Sequence, residues 1–374
     1  MAPPLHGHTN RLLPVSEALR QRGATVAWAG YASTLAGRLP DDIPLFALTA
    51  EEHTFHEGVR AANQSRGFSR YQSLLEDVIP TLTGAMLAEL EPVLRTFRPD
   101  VVVADQHALA AAIAAQRHAL PWVTWAAPSG VADFSATYPT ATAQHGAALE
   151  SLAKRFDAAP PIDLSPWLTI TPITRAFVPG SVREGPIAFV GPTLASTRPS
   201  VAFPWDQLAE TPRVLVTFGT INVDLAGRLL REAIEAFRGW RGQAIISGPT
   251  HIVSDVPPNV ILQERLPVLQ LMPHVNAVMC HGGYNTVVEA LSHGVPLVLA
   301  PIADDQPFNT KLAVESGAAV RLKFSRARAS TILKSIEEVV TNQTYRDAAG
   351  VLRSSFEAAG GAELAASLIE SIEI

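Results

Sequence analysis

A single cysteine, Cys280, is all this 374-residue chain carries, so no disulfide can form within it and a small stapled extracellular fold is excluded. That scarcity points to the cytoplasm as the expected compartment. Charged residues are also sparse, at 17%, and no excess of Lys and Arg accompanies them. The formal net charge is −6, which argues against a nucleic-acid partner, because phosphate backbones are held by clustered cations. Long apolar runs are missing too. No stretch approaches the ~18 residues needed for a membrane span, so stable membrane insertion is not expected. The opening residues Met1–His8 show neither a basic n-region nor an apolar h-region. Three motifs are absent as well. There is no Asp-x-Asp to anchor Mn²⁺ or Mg²⁺, no Gly-x-Gly-x-x-Gly after a strand for a nicotinamide cofactor, and no Gly-x-Ser-x-Gly for a serine hydrolase.

What is present is apolar material, 47% of all residues, enough for more than one core at this length. Short runs rich in Val, Ile, Leu and Trp alternate with longer helical stretches. Thr25–Ala29, Val101–Ala104, Trp122–Trp125, Val214–Thr217, Gln243–Ile246, Val260–Gln263, Ala277–Cys280 and Leu297–Leu299 read as strands buried on both faces, which predicts an α/β class with parallel sheets. Proline-bearing breaks between Gly191 and Pro212 mark a seam. The expected domains are therefore residues 1–200 and 201–360. A final amphipathic helix over 361–374 is expected to pack back on the first domain. Glu51–Tyr71 and Pro128–Pro166 are longer than ordinary connections and read as functional loops or small helices. Only Met1–Leu5, two of them prolines, precede His6-Gly7-His8. A doubly wound domain normally opens with an apolar strand, so the first strand looks absent and the coding start is expected upstream of Met1.

The richest local pattern is His281-Gly-Gly-Tyr-Asn-Thr-Val-Val-Glu-Ala-Leu, with Gly294-Val-Pro296 and Asp305-Gln-Pro307 after it. A strand ending in two glycines lets backbone approach a ligand, and the helix that follows offers amide N–H groups and a positive dipole end at Gly283–Thr286. A diphosphate fits there, with Asn285, Thr286 and His281 adding contacts. Glu289, four residues after Asn285, can accept hydrogen bonds from ribose hydroxyls. Asp305 and Gln306 follow the next strand and suit sugar hydroxyls, while Thr217-Phe-Gly-Thr220 places Gly219 and Thr220 near the phosphates. Taken singly, these residues also read as a plain turn, a helix cap and a solvated carboxylate. Order and spacing together favour a binding site.

From about Asn259 to Val320 the chain resembles the donor-binding signature of the UDP-glycosyltransferase-like family one, in its bacterial branch acting on macrolides, other antibiotics and carotenoids. The resemblance implies an α/β GT-B fold, two Rossmann-like domains facing a cleft. It also implies inverting transfer of a sugar from a UDP- or dTDP-sugar to a small apolar acceptor, with no metal or other cofactor. Where the family commonly carries Trp-x-Pro-Gln for the nucleobase, this chain has Arg265-Leu-Pro-Val268. Arg265 can stack on a base and the Val268 backbone can pair with it. His8 resembles the family's N-terminal histidine base, and Asp105, after the strand Val101–Ala104, its carboxylate partner. Histidine is the natural base at neutral pH, and a carboxylate fixes its tautomer. His8 with His6 also reads as a His-x-His metal pair, and His107 is a neighbour without a role. Acceptor contacts are expected from the N-terminal domain, where Phe55, Phe68, Tyr71, Trp125, Phe134 and Tyr138 are the aromatic material in or near the long loops; such aromatics are ordinarily core, and none is assigned to the site. Two other readings stay open: a sugar-nucleotide epimerase of the same architecture, and a catalytically inactive sugar-nucleotide binder. A monomer or a homodimer is compatible with all three.

Overall fold

The computed structural model describes residues 1–49, 52–62, 74–194, 201–218 and 223–373. The chain forms two compact units, residues 1–198 with 358–374, and residues 199–357.

In the first unit, α1 (His6–Gln21) leads to β1 (Trp28–Tyr31), β2 (Leu45–Leu48), α2 (Glu52–Ala62) and α3 (Ile79–Phe97). Then follow β3 (Val102–Asp105), α4 (Leu109–Arg117), β4 (Trp122–Trp125), α5 (Pro139–Arg155), β5 (Leu168–Thr171) and β6 (Ile187–Phe189). All strand pairs are parallel, β1 with β2 and β3-β4-β5-β6 in that order. Every residue of β4 is buried, as expected of a strand covered on both faces. The covering helix α4 is mostly alanine. Its Leu109–Ala115 stretch is wholly buried, and the small side chains let it lie close against α3 and β3.

Among the described residues no strand precedes α1. Met1 nevertheless makes one parallel rung opposite Ala104: its amine donates to Val103 O (2.8 Å) and its carbonyl accepts from Asp105 N (2.9 Å). Ala2 lies beside Gly30 of β1, so residues 1 and 2 bridge the two sheets. His8 and Thr9 both donate their N–H to Leu5 O, which nucleates the first turn at His6.

The second unit runs β7 (Arg213–Thr217), α6 (Val223–Ala236), β8 (Gln243–Ser247), β9 (Val260–Gln263), β10 (Ala277–Cys280), α7 (Tyr284–Ser292), β11 (Leu297–Leu299), α8 (Gln306–Glu315), β12 (Ala319–Arg321), α9 (Ala329–Thr341) and α10 (Gln343–Glu357). Its six parallel strands lie in the order β12-β11-β10-β7-β8-β9. The chain thus builds outward from β7 in one direction and from β10 in the other. Such a reversal opens a crevice at the carboxyl ends of the two central strands, the place where open α/β sheets bind ligands. Val214, Val216, Leu229, Ile234, Ile332 and Ile336 pack the core between this sheet and α6 and α9.

The last helix, α11 (Gly361–Glu370), belongs to the first unit and lies along α1. Gly361 N donates to Val190 O (2.7 Å), Ala365 and Ile369 join Leu12, Val15, Trp28 and Trp125 in one core, and Glu370 pairs with Arg22 at 2.7 Å.

Candidate active site

Two groups of side chains bear chemistry, one in each unit. In the first, α1 and β3 bring His8 and Asp105 together: His8 Nδ1 is 2.8 Å from Asp105 Oδ2. The Asp105 side chain has no exposed surface, while His8 keeps 18% of its own, so the pair opens outward on the imidazole side. Asp105 Oδ1 accepts the His107 backbone N–H at 3.0 Å, and the His107 ring stands edge-on to the His8 ring, 5.0 Å between centroids. Buried Arg11, one turn along α1, sets Nη2 3.1 Å from His8 Nδ1 and 3.7 Å from Asp105 Oδ2. A guanidinium only donates and an ionised carboxylate only accepts, so Nδ1 faces one partner that calls for a lone pair and one that calls for a proton; we assign the proton to Nδ1, toward the nearer partner, Asp105. Nε2 is left with its lone pair.

Burial lowers the His8 pKa below the usual imidazole value, outweighing the upward pull of Asp105. For Asp105 burial acts upward, but the His8 charge, hydrogen bonds from His107 and His8, and the Arg11 charge outweigh it and hold the carboxyl well below its usual range. A neutral imidazole backed by a carboxylate is the resting state of a general base.

In the second unit, β10 and β7 run side by side with Cys280 opposite Thr217, so His281-Gly282-Gly283 emerges at the crevice of the switch point. Gly282 takes φ +83°, and a Cβ there would stand 2.6 Å from Thr310 Oγ1. Gly283 caps α7 in an extended conformation, so the helix begins directly after the Gly-Gly loop. Asn309 ties the loop to the next element, donating to Gly282 O (3.1 Å) and Asp305 Oδ2 (2.9 Å). Burial lowers the His281 pKa, opposed by the Asp305 carboxylate and the Thr217 backbone.

Similarity to known proteins agrees with this geometry. Residues 244–370 match the family model of the erythromycin biosynthesis protein CIII-like C-terminal domain. The chain is 26% identical to 4'-demethylrebeccamycin synthase of Lentzea aerocolonigenes, over 99% of this chain and 97% of that protein. It is 28% identical to the uncharacterized UDP-glucosyltransferase YojK of Bacillus subtilis (strain 168), a match spanning 55% of this chain and about half, 52%, of that relative. The chain is thus similar to glycosyltransferases of antibiotic biosynthesis and shares the GT-B fold. Its fold is that of the kitacinnamycin glycotransferase, with a TM-score of 0.82 at 21% identity over 99% of this chain and 97% of the other. The spinosyn rhamnosyltransferase SpnG complexed with thymidine diphosphate gives 0.75 at 19% identity, over 99% of both chains.

Within this glycosyltransferase the remaining expected site residues are unevenly placed. Asn285 and Thr286 are half-buried in the first turn of α7, and Glu289 is buried on the same helix. Gln306 Oε1 already accepts the N–H groups of Ile302 (2.8 Å) and Ala303 (3.1 Å), which leaves its amide NH₂, a donor rather than an acceptor, for any ligand. Arg265 is exposed after β9, whereas the Val268 N–H donates to Leu266 O (2.9 Å) and is engaged locally. Gly219, Thr220, Phe68 and Tyr71 lie outside the described residues. Of the aromatics expected around an acceptor, Trp125 is fully buried core, Phe55 is buried, and Phe134 packs against the exposed Tyr138.

Arg11, His107 and Asn309 were not marked as site residues by sequence. For Arg11 the available signal is spacing, three residues after His8 and so on the same helix face. Donor atoms of His8, Asp105 and His107 lie within 4.8 Å of one another, a set that in composition resembles a cation site. The Arg11 guanidinium puts fixed positive charge against that position, and we assign it no metal. No helix among the described residues is long and apolar enough to cross a membrane.

Proposed function

We propose that this glycosyltransferase moves a sugar from UDP- or dTDP-sugar to a hydroxyl of a small lipophilic natural product, inverting the anomeric carbon and using no metal. The observation that carries this reading is the 2.8 Å His8–Asp105 pair, with the imidazole side chain 18% exposed. Nε2 takes the proton of the acceptor hydroxyl, Asp105 stabilises the imidazolium formed, and the acceptor oxygen attacks the anomeric carbon opposite the diphosphate. The bond from that carbon to the diphosphate oxygen breaks, and the leaving group's charge falls on the amides of residues 283–286 and the dipole of α7. His281, Asn285 and Thr286, with Gly219 and Thr220, hold the diphosphate; Glu289 holds the ribose; Asp305 and the Gln306 amide hold the sugar; Arg265 and Val268 meet the base.

Thymidine diphosphate in the SpnG complex supports dTDP-sugars as the first donors to try. The enzyme would act in the cytoplasm as a monomer or homodimer. The test is mass spectrometry of UDP- and dTDP-sugars incubated with polyketide, flavonoid and carotenoid acceptors, in buffer with and without EDTA. A conjugate of inverted anomeric configuration, formed equally in EDTA, is the expected product. Sugar isomerised without acceptor would point to an epimerase instead, and bound donor without turnover to an inactive binder.

A further inference from the structure

The environment of the His8 base contains two opposed fixed charges, and only one of them belongs to the dyad. Arg11 rises from the same helix face, its side chain 7% exposed, with Nη2 closer to the imidazole (3.1 Å) than to the carboxylate (3.7 Å). A guanidinium stays charged at any working pH. It also pairs with Asp105 Oδ2 at 3.7 Å, a buried contact rather than a surface ion pair. We propose that Arg11 is a positioning residue for the His8 base, its guanidinium adding to burial in offsetting the Asp105 carboxylate so that the imidazole rests neutral with the Nε2 lone pair available. This rests on His8 being the base.

A buried carboxylate alone favours the imidazolium, and an imidazolium cannot take a proton. Like charge at Arg11 disfavours that form, and Arg11 and Asp105 do act on His8 in opposite directions. Among the described residues the other ionisable groups near the dyad are few. His107 faces His8 from the loop after β3, and the Met1 amine, bonded to Val103 O, lies in the field of Asp105. Arg38 faces His6 and Asn10 rather than His8.

The test is the His8 ring titration, followed by NMR in protein without substrate, together with the pH profile of kcat/KM. In Arg11→Met the imidazole should titrate about one pH unit higher than in wild type, and the acid limb of the profile should move up by the same amount. Arg11→Lys, which keeps the charge, should restore most of both. A purely structural role would lower activity at every pH and leave the limb in place, and that result overturns the proposal. So does an unchanged His8 titration in folded Arg11→Met. Should that variant fail to fold, Arg11→Gln takes its place with the same expected shift, and a wild-type His8 that titrates above about 7 would also overturn the proposal, since it is not held neutral. Because the titration needs no turnover, it can fail or succeed independently of whether any sugar is transferred.

Discussion

His8 Nδ1 lies 2.8 Å from Asp105 Oδ2, across 97 residues of sequence. One comes from the first turn of a helix and the other from the last residue of a strand, so neither element makes the base alone. Asp105→Asn keeps the volume but lets Nδ1 accept instead of donate, which turns the wrong tautomer toward substrate. We expect kcat to fall about 10²- to 10⁴-fold while nucleotide affinity is unchanged. His8→Ala should abolish transfer with the same unchanged affinity. Calorimetric titration with UDP or dTDP beside steady-state rates separates the two effects, and a parallel loss of affinity would reject the assignment.

The opposite split is expected in the second unit. His281→Ala or Glu289→Ala should weaken nucleotide binding about 10- to 100-fold, the cost of a lost hydrogen bond to a charged or buried group. If both proteins bind as wild type does, the diphosphate and ribose roles are wrong.

Gly282→Ala puts a methyl group into a position with φ +83°, 2.6 Å from Thr310 Oγ1 and 3.1 Å from Gln306 O. Left-handed strain costs about 1–3 kcal/mol, and the crowding adds to it. A lower thermal midpoint accompanied by weaker nucleotide binding is the outcome anticipated; a midpoint equal to wild type would show that this loop relaxes freely.

Stability should fall as the solution is acidified through two windows. His8 and His281 both have lowered folded pKa values, so below about 6.5 the unfolded chain binds protons that the native state refuses, and stability drops with pH. Asp105 is depressed as well, so its contribution is full above about 4 and drains away as pH falls toward its folded value. Urea midpoints at pH 7.5, 5.5 and 4 would read this out. In His281→Ala the slope between the first two should be shallower, and an identical slope would remove His281 from the explanation.

Much of this was legible in sequence because the second unit's strands are short, wholly apolar and covered on both faces. Val260–Gln263, Ala277–Cys280 and Leu297–Leu299 have the predicted bounds. Four strands were not foreseen. Leu168–Thr171 alternates apolar residues with threonine, and Leu45–Leu48, Ile187–Phe189 and Ala319–Arg321 are short and border their sheets, where partial exposure blurs the pattern. Asp105 was placed just beyond its strand and proves to be its final residue. Trp125 could not be told from an acceptor contact, since a core indole and a ligand-lining one look alike in sequence. The His8–Asp105 pair needed the family resemblance to be seen at all, and Arg11 remained hidden because an arginine on a helix ordinarily reads as solvated surface.

The return of α11 to α1 imposes an order on biosynthesis. Residues 199–357 are contiguous and can fold while still tethered to the ribosome, but Ala365 and Ile369 complete the core around Trp28 and Trp125 only after that whole unit has been made. The half of the molecule made first is therefore the last to mature, and until then Leu12 and Val15 present an unfinished greasy face to the cell's chaperones.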